Sequence, residues 1–157
     1  MTWHYDIALV ELNEPIIFRK EAQPLMLAAP GDKATWNSKT HFTVSGWGNT
    51  MDKSTGDLSQ AGGSFPSHLM MTSVDYVDDK YCSIAAKQRE DKFCAGIMEG
   101  GKDSCTGDSG GPLVWLDKKQ GFPKLVGVVS FGEGNDLIKL FSTKIILYSR
   151  LPNDYNH

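Results

Sequence analysis

The apolar residues of this 157-residue chain arrive in short runs, and that pattern most limits what it can fold into. "IALVEL", "PIIF", "PLML", "MMTSVDYV", "KFCAG", "GPLVWL" and "PKLVGVVSFG" are all ten residues or shorter, and turn formers separate most of them. Runs of that length suit strands rather than long helices. Pro15 closes the first, predicted as a buried strand over Ile7 to Leu12, because proline removes a ladder donor. "AAPGDKATWNSKT" (28–40) reads as a loop able to link two halves, and "HFTVSGWGNT" as a strand entering a glycine-flanked turn. Residues 51–67 read as an exposed loop, and "DKKQGF" as a hairpin turn. "DDKYCSIAAKQRED" alone carries helix formers behind an aspartate cap. In the tail, "IKLFSTKIILYSR" fits a strand or an amphipathic helix equally. The whole pattern predicts an all-β barrel or sandwich.

The length favours one domain with a real core. A net charge of -3 gives no reason to expect nucleic acid or an anionic membrane as partner. No apolar run reaches the ~18 residues of a membrane span. The start, "MTWHYDIALVELNEP", shows no basic segment followed by an apolar stretch, so no secretion signal is read there. It reads instead as the interior of a domain, so the chain is expected to be a fragment. Three cysteines, Cys82, Cys94 and Cys105, leave an odd thiol or a lost partner. There is no CxxC, and His4, His41, His68 and His157 lack ligand spacing, so no metal and no cofactor are expected.

"GKDSCTGDSGGPLVW" (101–115) concentrates the chemistry. A serine hydroxyl is a poor nucleophile until its loop aims it outward and a base takes its proton. Gly107, Gly110 and Gly111 permit torsions and close approaches that side chains would block. Such a turn can gather the amides of Gly107 and Ser109 into a hole for a developing oxyanion. The bland alternative is a glycine-rich turn with an incidental serine. A nucleophile elbow of the α/β-hydrolase kind needs a strand before the serine and a helix after it. Here a loop precedes Ser109, and Pro112 leads into a strand-like run, so that context is wrong.

Five segments in order resemble the trypsin-like, chymotrypsin-fold serine endopeptidases: "YDIALVEL", "VSGWGNT", "YCSIAAKQREDKFCAG", "GKDSCTGDSGGPLV" and "VGVVSFGEG". The resemblance covers roughly residues 3 to 134. It implies a double β-barrel, with 1–28 a remnant of the first barrel, 29–134 the second barrel and 135–157 an atypical tail. It also implies Ser-His-Asp acyl transfer, with Ser109 as nucleophile and Asp6 orienting the base, where residues alone leave Asp6 a strand-start cap. Gly107 and Ser109 would form the oxyanion hole. Asp103, six residues before Ser109, would sit at the floor of a pocket lined by Ser104, Ser130, Phe131 and Gly132, selecting Arg or Lys. Phe131 stands where the family usually has tryptophan. Asp108 would pair with an amino terminus freed when a proenzyme is cut. Implied partners are polypeptides with Arg or Lys at the cleavage site and protein protease inhibitors, with secretion as the setting.

The resemblance also implies a Cys82–Cys94 disulfide closing about a dozen residues, worth roughly 3 kcal/mol in the loop-entropy view and pointing to an oxidising compartment. A further family disulfide would need cysteines at Phe42 and Trp115, and the partner of Cys105 would fall at Asn135. The family's catalytic histidine lies well before the aspartate, whereas His4 is two residues from Asp6 and lacks the family context. The 157 residues alone are therefore expected to show little proteolysis. A rival from another class is a non-catalytic protease-fold protein that grips basic peptides through Asp103.

Overall fold

The computed structural model describes residues 6–29, 31–50, 64–82, 91–98, 104–118, 120–133 and 145–149. Seven strands form among them: β1 (Met26–Leu27), β2 (His41–Gly46), β3 (Met70–Val77), β4 (Lys92–Gly96), β5 (Pro112–Asp117), β6 (Phe122–Glu133) and β7 (Ile145–Ser149). They form one sheet in the order β1-β6-β5-β2-β3-β4-β7, and β7 returns to pair with β6. Six strands, β2 to β7, thus close into an antiparallel barrel. The first half of β6 also carries β1 in parallel, through Met26 and Leu27. The all-β expectation holds, with a single-turn 3-10 helix at Asp32–Thr35 and no α-helix among the described residues.

Residues 145–149 of the ambiguous tail form a strand, while 138–144 lie outside the described residues. β7 lies antiparallel between β4 and β6, taking Cys94 opposite Leu147 and Gly132 opposite Ile146. Two waiting edges supply a ladder that an isolated helix could not match, and closure removes the edges themselves. The proposed helix falls largely on residues 83–90, outside the described residues, while 78–81 form a turn in which Asp78 accepts the Lys80 and Tyr81 amides.

One expectation fails. Ile7 to Leu12 is not a buried strand: Leu9 and Val10 are 78% and 80% exposed, and no strand among the described residues pairs with them. Hydrophobicity alone does not make a strand without an adjacent ladder to join.

Alternation along β2 places Phe42 and Val44 inside. They meet Val74, Phe93, Ala95, Leu113, Val126 and Val129 in the barrel core. Phe42 lies directly opposite Trp115 in the β2–β5 register. At the two positions where the resemblance implies a further disulfide, this chain therefore has an aromatic pair. Trp36 covers it, with ring centroids 5.1 Å from Phe42, 5.9 Å from Trp115 and 5.2 Å from Phe93. Aromatic side chains have the area to fill such a site. At the other end of this patch, buried Lys124 bonds Asp32 at 2.9 Å and approaches Asp117 at 3.6 Å, tying the 29–35 segment to β6.

Tyr76 borders the same aromatic group. Burial, reinforced by the nearby carboxylates of Asp79 and Asp78, pushes its phenol from 10.0 up to about 12. The folded chain thus holds this proton after the unfolded chain has released it. The associated stability is intact below pH 10 and is lost as pH climbs through about 12. Urea midpoints between pH 9 and 12 are expected to fall in the wild type and to fall less in Tyr76→Phe, which keeps the ring.

Candidate active site

The loop before β5 is built from successive tight turns. The Asp108 amide donates to Cys105 O at 3.0 Å, and the Gly111 amide donates to Asp108 O at 2.8 Å. Gly107 has φ +98° and Gly110 φ +78°, left-handed torsions that exclude most side chains. A ladder then fastens the loop to β6: the Gly110 amide donates to Val129 O, and the Val129 amide donates to Gly111 O. Ser109 is left exposed at the outside of this turn. Among the described residues, no acceptor meets the amides of Gly107 and Ser109.

Asp108 points the other way. Its Oδ1 accepts the Gly48 amide at 2.7 Å, and its Oδ2 accepts the Cys105 amide at 2.9 Å. The carboxylate fills the space beside Gly46 and Gly48, so a Cβ at either position would collide with it. The glycines flanking Trp47 are therefore the seat of the Asp108 side chain, a role that sequence reasoning missed because the partners are 60 residues apart. Gly48→Ala is expected to lower stability by about 1–3 kcal/mol through overpacking. Gly31→Ala, with open space around it and an ordinary φ of -78°, is the control and should leave the urea midpoint almost unchanged.

Asp6 is fastened to β6 as well. Ser130 Oγ donates to Asp6 Oδ2 at 2.6 Å. Ser130 is the residue after Val129, so Asp6 and the Ser109 loop are fastened to neighbouring positions of one strand. Lys92 Nζ, at the start of β4, donates to the same Ser130 Oγ at 3.3 Å and lies 3.4 Å from Asp91 Oδ2. Lys92 was not singled out from the sequence. The available signal was a charged residue heading a five-residue strand that is buried throughout.

The remaining expected positions are distributed as follows. Phe131 packs against Val77, Cys82 and Cys94, the last two joined as the expected disulfide with Cα atoms 6.0 Å apart. Ser104 is half-buried beside Cys105, which is a free thiol. Gly132 pairs with Ile146 of β7. Asp103 lies outside the described residues, as do His4 and His157. His41 Nδ1 meets Asp75 Oδ1 at 2.6 Å, and His68 Nδ1 meets Ser67 Oγ at 3.1 Å. His41 begins β2 while Gly46 ends it beside Asp108, a separation of ~16 Å at the usual strand rise. Neither described histidine is bonded to Ser109. No helix among the described residues is long and apolar enough to cross a membrane.

The trypsin family profile matches residues 1–150, past Gly134 and through β7. The chain is 39% identical over 132 residues to trypsin-1 of Astacus astacus, covering 82% of this chain and 49% of that protein. It is 41% identical over 138 residues to trypsin 5G1 of Aedes aegypti, covering 85% and 46%. Against cationic trypsin-3 of Rattus norvegicus the identity is 36% over 135 residues, covering 85% and 47%. The chain spans about half the length of the curated relatives it matches. A closed β-barrel, a glycine-built serine loop and an extended family match agree: the chain belongs to the trypsin family of serine endopeptidases.

Proposed function

We propose that the complete protein is a secreted serine endopeptidase that cleaves after Arg or Lys by acyl transfer. The observation that carries this reading is the convergence on β6, where Val129 holds the Ser109 loop and Ser130 holds Asp6. Ser109 Oγ attacks the scissile carbonyl and gives its proton to a histidine base. Asp6 orients that base and stabilises its charged form. The amides of Gly107 and Ser109 receive the oxyanion, a term worth about 10²–10³ in turnover per donor. Asp108 acts as the activation acid: each of its oxygens takes one backbone amide and retains a lone pair for an incoming ammonium.

Asp103 selects the cationic side chain, in a pocket shared with Ser104, Ser130, Phe131 and Gly132. The substrates are polypeptides bearing Arg or Lys, and protein protease inhibitors compete for the same pocket. The Cys82–Cys94 disulfide supports an extracellular, oxidising setting. On this reading residues 1–28 belong to the first barrel and 29–134 to the second, with 135–157 a tail whose strand β7 closes the second barrel. The base must reach the serine within a hydrogen bond, and neither His41 nor His68 supplies it. His4 and His157 lack the family's histidine context as well, so on this reading the 157 residues alone turn over little substrate.

The test compares arginyl, lysyl and phenylalanyl amides on the complete protease and on its Asp103→Ser variant. Preference for the two cationic amides, collapsing in the variant, is the expected result. An unchanged preference would remove Asp103 from the pocket. Steady arginyl amide hydrolysis by the isolated chain, lost in Ser109→Ala, would overturn the claim of incompleteness.

A further inference from the structure

The buried ammonium of Lys92 is not used by the acyl-transfer steps above. Its side chain is fully enclosed, and the groups that meet Nζ include Asp91 Oδ2 at 3.4 Å, Ser130 Oγ at 3.3 Å and the Phe131 ring at 5.9 Å. A lysine is seldom buried unless something holds its charge. Asp91, itself only 8% exposed, is one such partner. The contact with Ser130 has a different consequence.

A hydroxyl has one proton and two acceptor lone pairs. Lys92 can only donate, so Ser130 Oγ accepts from it and keeps its proton for Asp6 Oδ2 at 2.6 Å. The three groups form a directed chain from ammonium to hydroxyl to carboxylate, in which each bond polarises the next. The turn after β3 does not compete for the cation: Asp78 takes the Lys80 amide, and Asp79 pairs with Lys33. On the β7 side, the backbone neighbour of Lys92 is Ser149.

Resting on the assignment of Asp6 as the triad aspartate, we propose that Lys92 is a positioning residue, whose ammonium turns the Ser130 hydroxyl onto Asp6 and so fixes the carboxylate that orients the base. Lys92 touches neither substrate nor the reacting atoms. Its influence should therefore appear more strongly in turnover than in substrate affinity.

The experiment uses the complete protease with Lys92→Met, which keeps the chain length and removes charge and donor together, and with Lys92→Arg, which keeps both. Steady-state kinetics on an arginyl amide are paired with crystal structures of each variant. Lys92→Met is expected to lower kcat about 10-fold, the scale of one charge-assisted hydrogen bond, with KM changed less than kcat and with the Ser130 Oγ–Asp6 contact lengthened or lost. Lys92→Arg is expected to restore both. Should Lys92→Met fail to fold because Asp91 is left unpaired, Lys92→Met/Asp91→Asn removes both charges and carries the same test. A variant that keeps the Ser130–Asp6 bond and wild-type kcat overturns the proposal and leaves Lys92 a packing residue. If the wild-type protease hydrolyses nothing, the functional reading falls, and the crystal structures still decide whether Lys92 directs Ser130.

Discussion

Ser109→Ala in the complete protease is expected to lower kcat on an arginyl amide by about 10⁶-fold, the scale on which such triads depend on their nucleophile. Alanine removes only the oxygen that would form the acyl intermediate. Because Ser109 is exposed at the tip of its turn, the loop should survive. Its conformation is set by Gly107 and Gly110, by the ladder to Val129 and by the inward Asp108 carboxylate, none of which uses the Ser109 hydroxyl. The urea midpoint should therefore stay at the wild-type value while turnover collapses. Residual hydrolysis above water would come from binding and from the amides of Gly107 and Ser109. A fall of only a few-fold, with an unchanged midpoint, would mean that another residue is the nucleophile.

Asp6→Asn should reduce kcat by about 10⁴-fold, a magnitude characteristic of Ser-His-Asp triads and not read from this geometry. An asparagine oxygen can still accept from Ser130, so the attachment to β6 is retained. What changes is the other side of the group: an amide nitrogen donates where a carboxylate oxygen accepted, and the histidine is held in the wrong tautomer. Ser130→Ala isolates the attachment alone and should be milder, about 10-fold, the cost of one hydrogen bond to a charged group. Both are checked by kcat on an arginyl amide at fixed pH. If Asp6→Asn matched Ser130→Ala in effect, Asp6 would be a structural acceptor and no part of the triad.

What could be read from the sequence was the local part of this architecture. The runs "MMTSVDYV" and "KFCAG" coincide with β3 and β4 because strand period, burial and flanking turn residues all agree there. The serine loop was legible for the same reason: its glycines carry the torsions the turn needs, within six consecutive residues. Long-range partnerships were not legible. Asp6 and Ser130 are 124 residues apart, and nothing in either neighbourhood encodes the bond between them. β7 could not be told from a helix because its assignment depends on the free edges of β4 and β6, which exist only after the barrel has formed. "IALVEL" has strand composition but lacks a neighbouring ladder among the described residues, so composition misled there. Gly48 looked like a turn residue, and only its contact with Asp108 shows why a side chain is not tolerated.

The central claim is that Ser109 is an activated nucleophile served by Asp6. Reaction of the complete protease with a fluorophosphonate, followed by peptide mass mapping, tests it most directly, because the reagent reacts far faster with a serine whose proton is being removed than with an ordinary hydroxyl. The account predicts one adduct, on the peptide containing Ser109, absent in Ser109→Ala and formed much more slowly in Asp6→Asn. Labelling elsewhere, or no labelling of a folded and processed protein, would contradict it.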